Sequence, residues 1–238
     1  MTLQDNRSLG ILGGMGPAAT HYFFGKVIEH RNATTDQDHI RVVIDSNPSI
    51  PDRTEYLLGD GPSPLPKLQA AARVLEAADV SAIAMPCHTS HYFLDELEGF
   101  VTVPFIDMIE ETITSLNQND VHECLLLATD ATIKTGLYSN DSALSFIPPN
   151  DEAQAKVMEA IFGEHGIKAG HYEQPVALIE DVIRQSAAHH VLLGCTELSL
   201  IAEDIQVRQS LVDPLELLAR RSIDQLTTDS CKNVTTPC

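Results

Sequence analysis

The chain has no tryptophan, and aromatic residues make up only 5% of its 238 positions. Sequence-tolerant binding of single-stranded nucleic acid relies on aromatic faces on which bases stack, so that class loses its main device. Basic residues are scarce as well: 15 Lys and Arg stand against 34 Asp and Glu, a net charge of −19 at pH 7. A field of that sign repels a phosphate backbone, and nucleic acid is not an expected partner. A small acidic substrate is not excluded, because a few local donors dominate inside a closed pocket. No apolar run reaches the roughly 20 residues of a membrane span, so no membrane partner is expected either. The first residues, Met1-Thr-Leu-Gln-Asp-Asn-Arg7, have neither the basic start nor the apolar core of a signal peptide, and the expected compartment is the cytoplasm. Cysteine is sparse: five residues, an odd number without disulfide-scaffold spacing, which suits a reducing compartment. Two of the five, Cys231 and Cys238, sit in a polar tail and read as incidental.

What the chain does have is 43% apolar residues, enough to build the core of one large domain or two smaller ones. These residues alternate between strand and helix patterns. Leu9–Gly13 is a short apolar run that enters the glycine turn Gly13-Gly14-Met15-Gly16-Pro17, and residues 18–31 carry a helical face. Ile40–Asp45 is a β-branched strand, and residues 46–66, with five prolines, read as one long loop. A helix at Leu65–Ala78, a strand at Val80–Met85, a helix starting at His91–Leu97 and a strand at Val101–Asp107 complete the first half. A helix at Met108–Leu116 leads into the second half. There the reading is a strand at Glu123–Ala128, a turn at Thr129–Thr132, a helix at 151–165, a strand-like Ile167–Tyr172, a helix at 175–187 and a strand at His190–Leu193. Pro214–Leu226 reads as a closing helix. Strands alternating with helices predict parallel sheets with βα crossovers. The expected architecture is α/β, with two similar lobes related by a pseudo-two-fold and a site in the cleft between them. The expected lobes are residues 1–105 with about 211–238, and residues 106–210.

Two cysteines 108 positions apart, Cys87 and Cys195, occupy matching places in that repeat. Residues 65–87 align with 173–195 without a gap: an amphipathic helix, a polar turn and a buried strand ending in cysteine. Each cysteine has a threonine within two residues, Thr89 and Thr196. In parallel α/β folds ligands bind beyond the carboxyl ends of strands, so both thiols are placed to meet one ligand. Two thiols flanking one carbon can take a proton from one side and return one to the other. Cys124, inside an apolar run, reads as packing.

Other motifs carry less. Gly14-Met15-Gly16 with Ala19 fits the looser dinucleotide fingerprint, but the following acid, Asp45, comes later than that fingerprint expects, and the lysine of a P-loop is missing. The turn is instead expected to present backbone N–H groups to a small anion at a helix N-terminus. Cys87, His88 and His91 contain metal-ligand chemistry, but no second pair completes a site, and no metal is expected.

Three motifs together, Gly13–Thr20, Pro86-Cys-His-Thr-Ser-His91 and Gly194-Cys-Thr-Glu-Leu198, resemble the aspartate/glutamate racemase family. Ser49–Arg53, Ala128-Thr129 through Thr132 to Tyr138, and Gly166–Gly170 add to the match, which runs from residue 9 to about 215. The resemblance implies a cofactor-independent racemase of acidic amino acids, closest to aspartate racemase, with Cys87 and Cys195 as acid and base, and a homodimer. It implies a substrate site formed by Met15, Arg53, His88, Thr89, Thr129, Thr132, Lys168, Thr196 and Glu197. Arg53 is the expected partner of the side-chain carboxylate, because its planar fork suits bidentate pairing. The departure is His88, where the family usually has an asparagine whose amide helps hold the α-carboxylate. A free thiol ionises near pH 8.5, and helix N-termini after each cysteine are expected to lower that.

Overall fold

A computed structural model describes residues 7–138 and 144–227. Cys231 and Cys238 therefore lie outside the described residues. The first half contains β1 (Ser8–Gly13), α1 (Pro17–Arg31), β2 (Arg41–Ser46), α2 (Arg53–Leu58), α3 (Leu65–Ala77), β3 (Ala82–Ala84), a turn of 3-10 helix at Thr89–Phe93, α4 (Leu94–Glu98) and β4 (Phe105–Ile106). After α5 (Met108–Gln118) come β5 (Glu123–Ala128), α6 (Asp130–Thr135), β6 (Ser145–Ile147) and α7 (Asp151–Phe162). The chain closes with α8 (Glu173–Arg184), β7 (His190–Gly194), α9 (Thr196–Ser199), β8 (Ser210–Val212) and α10 (Pro214–Thr227).

The strands form two four-stranded sheets, ordered β2-β1-β3-β4 and β6-β5-β7-β8, and every pairing is parallel. The two orders are the same when each strand is matched to its counterpart four places on. The gap-free repeat survives folding: α3 opens at Leu65 and α8 at Glu173, each 22 residues before its cysteine. Alternation along β1 sends Leu9 and Ile11 to one face and Leu12 to the other. The first face is covered by α1 and α10, through Phe23, Val27, Leu215 and Leu218. The second is covered by α3 and α4, through Leu68, Leu75 and Leu97. The second sheet is enclosed in the same way, by α7 and α8 on one face and α5 on the other. Cys124 is buried in that last cluster beside Leu126, Tyr138 and Leu192, as packing. α10 also packs on α5, where Arg221 pairs with Glu111 at 2.8 Å.

Several expectations need correction. The stretch 46–66 is not all loop, because Asp52 caps α2 by accepting from the Glu55 N–H at 3.0 Å. An Asp followed three residues later by Glu marks such a start, and that signal was available in the sequence. Ile167–Tyr172 is not a strand. Ile167–Ala169 makes one turn of 3-10 helix, closed by Gly170 at φ +88°, and among the described residues it pairs with no strand. The helix at 151–165 stops at Phe162, before Gly163, and Val101–Asp107 shrinks to two strand residues. The three-residue edge strands β6 and β8 were not anticipated, since neither carries a run long enough to show alternation.

The glycine turn is held from within. The Gly14 N–H donates to Thr20 Oγ1 at 2.9 Å, and the Asn47 N–H donates to Gly13 O at 3.2 Å. Gly14 has φ +91°, and a Cβ there would collide with the Asn47 backbone. Strain of both kinds acts at one atom, costing about 2–4 kcal/mol. Gly14→Ala is therefore expected to lower Tm by roughly 5 °C or more in a thermal melt. An unchanged Tm would show that the Asn47 segment yields without loss.

Candidate active site

Strand ends and helix starts of both lobes meet at one pocket. Around it lie Met15 from the glycine turn, Asp52, Arg53 and Thr54 from the start of α2, and Cys87, His88 and Thr89 beyond β3. The second lobe supplies Thr129 and Thr132 at the start of α6, Phe162 at the end of α7, Lys168 from the 3-10 turn, and Gly194, Cys195, Thr196 and Glu197 at the β7–α9 junction. The space between them is narrow and partly open to solvent. All eleven residues expected from the sequence line this pocket.

Cys87 sits on the first-lobe wall beside a cation. Arg53 is only 7% exposed, and its two terminal nitrogens donate to Pro51 O and Met15 O, each at 3.0 Å. Burial works to lower the pKa of the guanidinium. Its neighbours, with Cys87 the largest, outweigh burial and raise it, Asp52 and Glu197 contributing. Thr89 Oγ1 lies 3.6 Å from the Cys87 sulfur. His91 fixes the backbone here: its Nε2 lies 3.3 Å from the Met108 N–H and can only accept from it. Nδ1 is then the protonated nitrogen, donating to Cys87 O at 2.9 Å. Burial is the main cause of the lowered His91 pKa. With both nitrogens committed, His91 has none free for a metal. Among the described residues, no group of three or more His, Cys, Asp or Glu is placed to hold one.

Cys195 sits on the opposite wall beside a carboxylate. Its sulfur donates to Glu197 Oε2 at 3.1 Å, and Lys168 Nζ donates to Glu197 Oε1 at 2.7 Å. Burial, and next to it the Glu197 charge, push the Cys195 thiol well above its ordinary value, against the pull of Lys168. This reverses the expectation of a lowered pKa: α9 has four residues, too short a dipole to offset burial beside a carboxylate. Burial works to lower the Lys168 pKa, but Glu197 and then Cys195 raise it. The glycine turn also meets Glu197, since a Cβ on Gly16 would lie 3.2 Å from Oε1.

Removing that carboxylate tests the arrangement. In Glu197→Gln the negative neighbour is gone and Lys168 loses its partner, so Cys195 is expected to ionise at lower pH. Absorbance of the thiolate near 240 nm, titrated against a Cys195→Ser control, reads the shift. A titration unmoved or shifted upward would contradict it.

Thr129 caps α6, accepting from the Thr132 N–H at 3.3 Å, and the two hydroxyl oxygens are 3.2 Å apart. His88 is 3% exposed, its ring tilted against Tyr138 with 5.8 Å between centroids. Neither of its nitrogens has a hydrogen-bond partner among the described residues. Sequence reasoning missed Asp52, Thr54, Gly194 and Phe162 in the pocket. The first two adjoin Arg53 in the capped helix start. Gly194 belongs to the Gly194–Leu198 motif. Phe162 ends an ordinary amphipathic helix and had no signal.

Like-ordered parallel sheets thus each end a matched strand in a cysteine at one shared pocket. The family model described as Asp/Glu/Hydantoin racemase matches residues 12–221, and the chain belongs to that family. Among its relatives is the broad specificity amino-acid racemase RacX of Bacillus subtilis (strain 168), 26% identical over 228 residues, which are 90% of this chain and 96% of that one. Aspartate racemase from Picrophilus torridus superposes with a TM-score of 0.82 at 31% identity, covering 92% of this chain and 93% of the other. An aspartate racemase homologue from Pyrococcus horikoshii OT3 gives a TM-score of 0.71 at 28% identity, with 93% and 99% covered. No helix among the described residues is long and apolar enough to cross a membrane.

Proposed function

We propose that the protein interconverts L- and D-aspartate without a cofactor, Cys87 and Cys195 serving as the two proton-transfer groups at Cα. The observation that carries this reading is the single small pocket that both sulfurs line from opposite lobes. Racemisation removes a proton from a weakly acidic carbon, and the pocket must stabilise the charge that develops by positioned donors. Arg53, Lys168 and the threonine hydroxyls supply them. A planar centre then collects a proton from the other face. One sulfur must be charged and the other protonated in each direction. Burial beside Glu197 holds Cys195 as a thiol, and Arg53 stands beside Cys87. Cys195 then serves as the acid in one direction, with Cys87 taking the proton from the other face. The enantiomer whose Cα–H faces Cys87 reacts directly, and its mirror image needs the proton distribution reversed. Matched motifs also support a homodimer, which light scattering would test.

A second reading concerns substrate range. Two of Arg53's nitrogens are engaged by the backbone carbonyls of Pro51 and Met15, and Lys168 is paired with Glu197. Lys168 is spent on Glu197 and Arg53 keeps only Nε without a partner, so no bidentate fork is left for a side-chain carboxylate, which favours amino acids beyond aspartate, in keeping with the range named for the B. subtilis relative. Deuterium uptake at Cα in D₂O, across both enantiomers of aspartate, glutamate, alanine and other amino acids, tests the two readings together. Uptake with aspartate above all others supports the first, and comparable uptake with neutral amino acids supports the second. No uptake with any amino acid overturns both.

A further inference from the structure

We propose that His88 accepts a hydrogen bond from the α-ammonium group of the bound amino acid, and so selects amino acids against carboxylic acids that lack that group. This rests on the reading above, in which an α-amino acid is the substrate. His88 lines the pocket, is 3% exposed, and neither ring nitrogen has a partner among the described residues. Buried polar groups without a partner are rare and call for one. Burial, and after it the neighbouring His91, hold the His88 pKa down at about 3. A neutral imidazole has one N–H and one bare nitrogen, so it offers an acceptor that does not repel a cation as an imidazolium would.

Several other acceptors on the pocket wall are already engaged. The Glu197 carboxylate takes Lys168, Cys195 and Thr196. One Asp52 oxygen caps α2, and Met15 O takes Arg53. Donors, by contrast, are not lacking: the unpartnered Nε of Arg53 lies on the same lobe, with threonine hydroxyls around it. Donors for a carboxylate are thus at hand without His88, and its bare ring nitrogen adds an acceptor that has no partner among the described residues. An asparagine at this position has an amide donor as well as an acceptor; the imidazole has the two on different ring atoms.

The test compares binding of aspartate with succinate, which keeps both carboxylates and lacks the ammonium, by calorimetry on wild type, His88→Phe and His88→Asn. Phenylalanine keeps a ring against Tyr138 and removes both nitrogens. Wild type is expected to bind aspartate at least tenfold more tightly than succinate. In His88→Phe that preference should fall to threefold or less, with succinate affinity nearly unchanged, and His88→Asn should restore part of it. The same contrast with alanine and propionate removes any dependence on the side-chain carboxylate. Equal weakening of aspartate and succinate in His88→Phe would place the imidazole on a carboxylate and overturn the proposal, as would an undiminished preference. Wild type binding succinate as well as aspartate, with propionate matching alanine, overturns it too. Deuterium uptake at Cα by wild type stands apart from these outcomes: uptake with an unaltered preference in His88→Phe sinks this inference alone, and absent uptake sinks the racemase reading.

Discussion

Replacing either Cys87 or Cys195 by serine is expected to lower kcat/KM for racemisation about 1,000-fold or more, with Tm within a few degrees of wild type. General acid–base groups contribute roughly 10²–10⁴-fold each, and a serine hydroxyl is a far weaker acid than a thiol. Both sulfurs line the pocket, so both losses should be large and each should appear in both directions of reaction. Deuterium uptake at Cα separates the steps. A variant that keeps a base on one face can still exchange one enantiomer with solvent while failing to invert it. The resting asymmetry, with Cys195 held as a thiol beside Glu197 and Arg53 beside Cys87, predicts that exchange in Cys195→Ser persists for one enantiomer only. Cys124→Ser, in the core of the second lobe, should keep near-wild-type kinetics. Racemase activity at wild-type level in either pocket variant would refute the two-thiol mechanism.

Arg53→Ala is expected to cost roughly 2–5 kcal/mol in transition-state stabilisation, which is roughly a 30- to 5,000-fold fall in kcat/KM. The arginine is buried and ties the Pro51 and Met15 carbonyls together beside the Cys87 sulfur. Its removal leaves two carbonyls without donors and Cys87 without its cation. Arg53→Lys should recover part of this, because one ammonium cannot reproduce the fork between two carbonyls. The substrate dependence says what else Arg53 does. A larger loss for aspartate than for alanine would mean that it also meets the side-chain carboxylate. Equal losses would make it a positioning residue for the glycine turn and Cys87. Wild-type kinetics in Arg53→Ala would remove it from the site altogether.

Much of this could be read from the chain because the repeat is local. Helix, turn and strand before each cysteine lie within 22 residues, and short-range periodicity reports such units directly. The nine substrate-site residues expected beside the two cysteines came from the family resemblance, carried by short motifs that lie at strand ends, helix starts and one 3-10 turn. The readings that failed had a different cause. Ile167–Tyr172 looked like a strand because it mixes apolar residues and glycine, yet Gly170 at positive φ closes a turn that aims Lys168 at Glu197. The edge strands β6 and β8 are too short to alternate, and exist because β5 and β7 offer them backbone partners.

By itself, the sequence determined the parallel α/β build, the doubling of the lobe and the two thiols at equivalent strand ends, since each follows from residue types at fixed local spacing. Only the tertiary structure decided the electrostatics of the pair. Spacing alone makes Cys87 and Cys195 alike. Folding places Arg53 from α2 beside one, and encloses the other with Glu197, which Lys168 reaches from 29 positions away. It also withdraws His88 from water without giving either nitrogen a partner. Charge and desolvation act through space, between residues far apart in the chain, so the proton's resting place is set by the packing of two lobes that no local pattern describes.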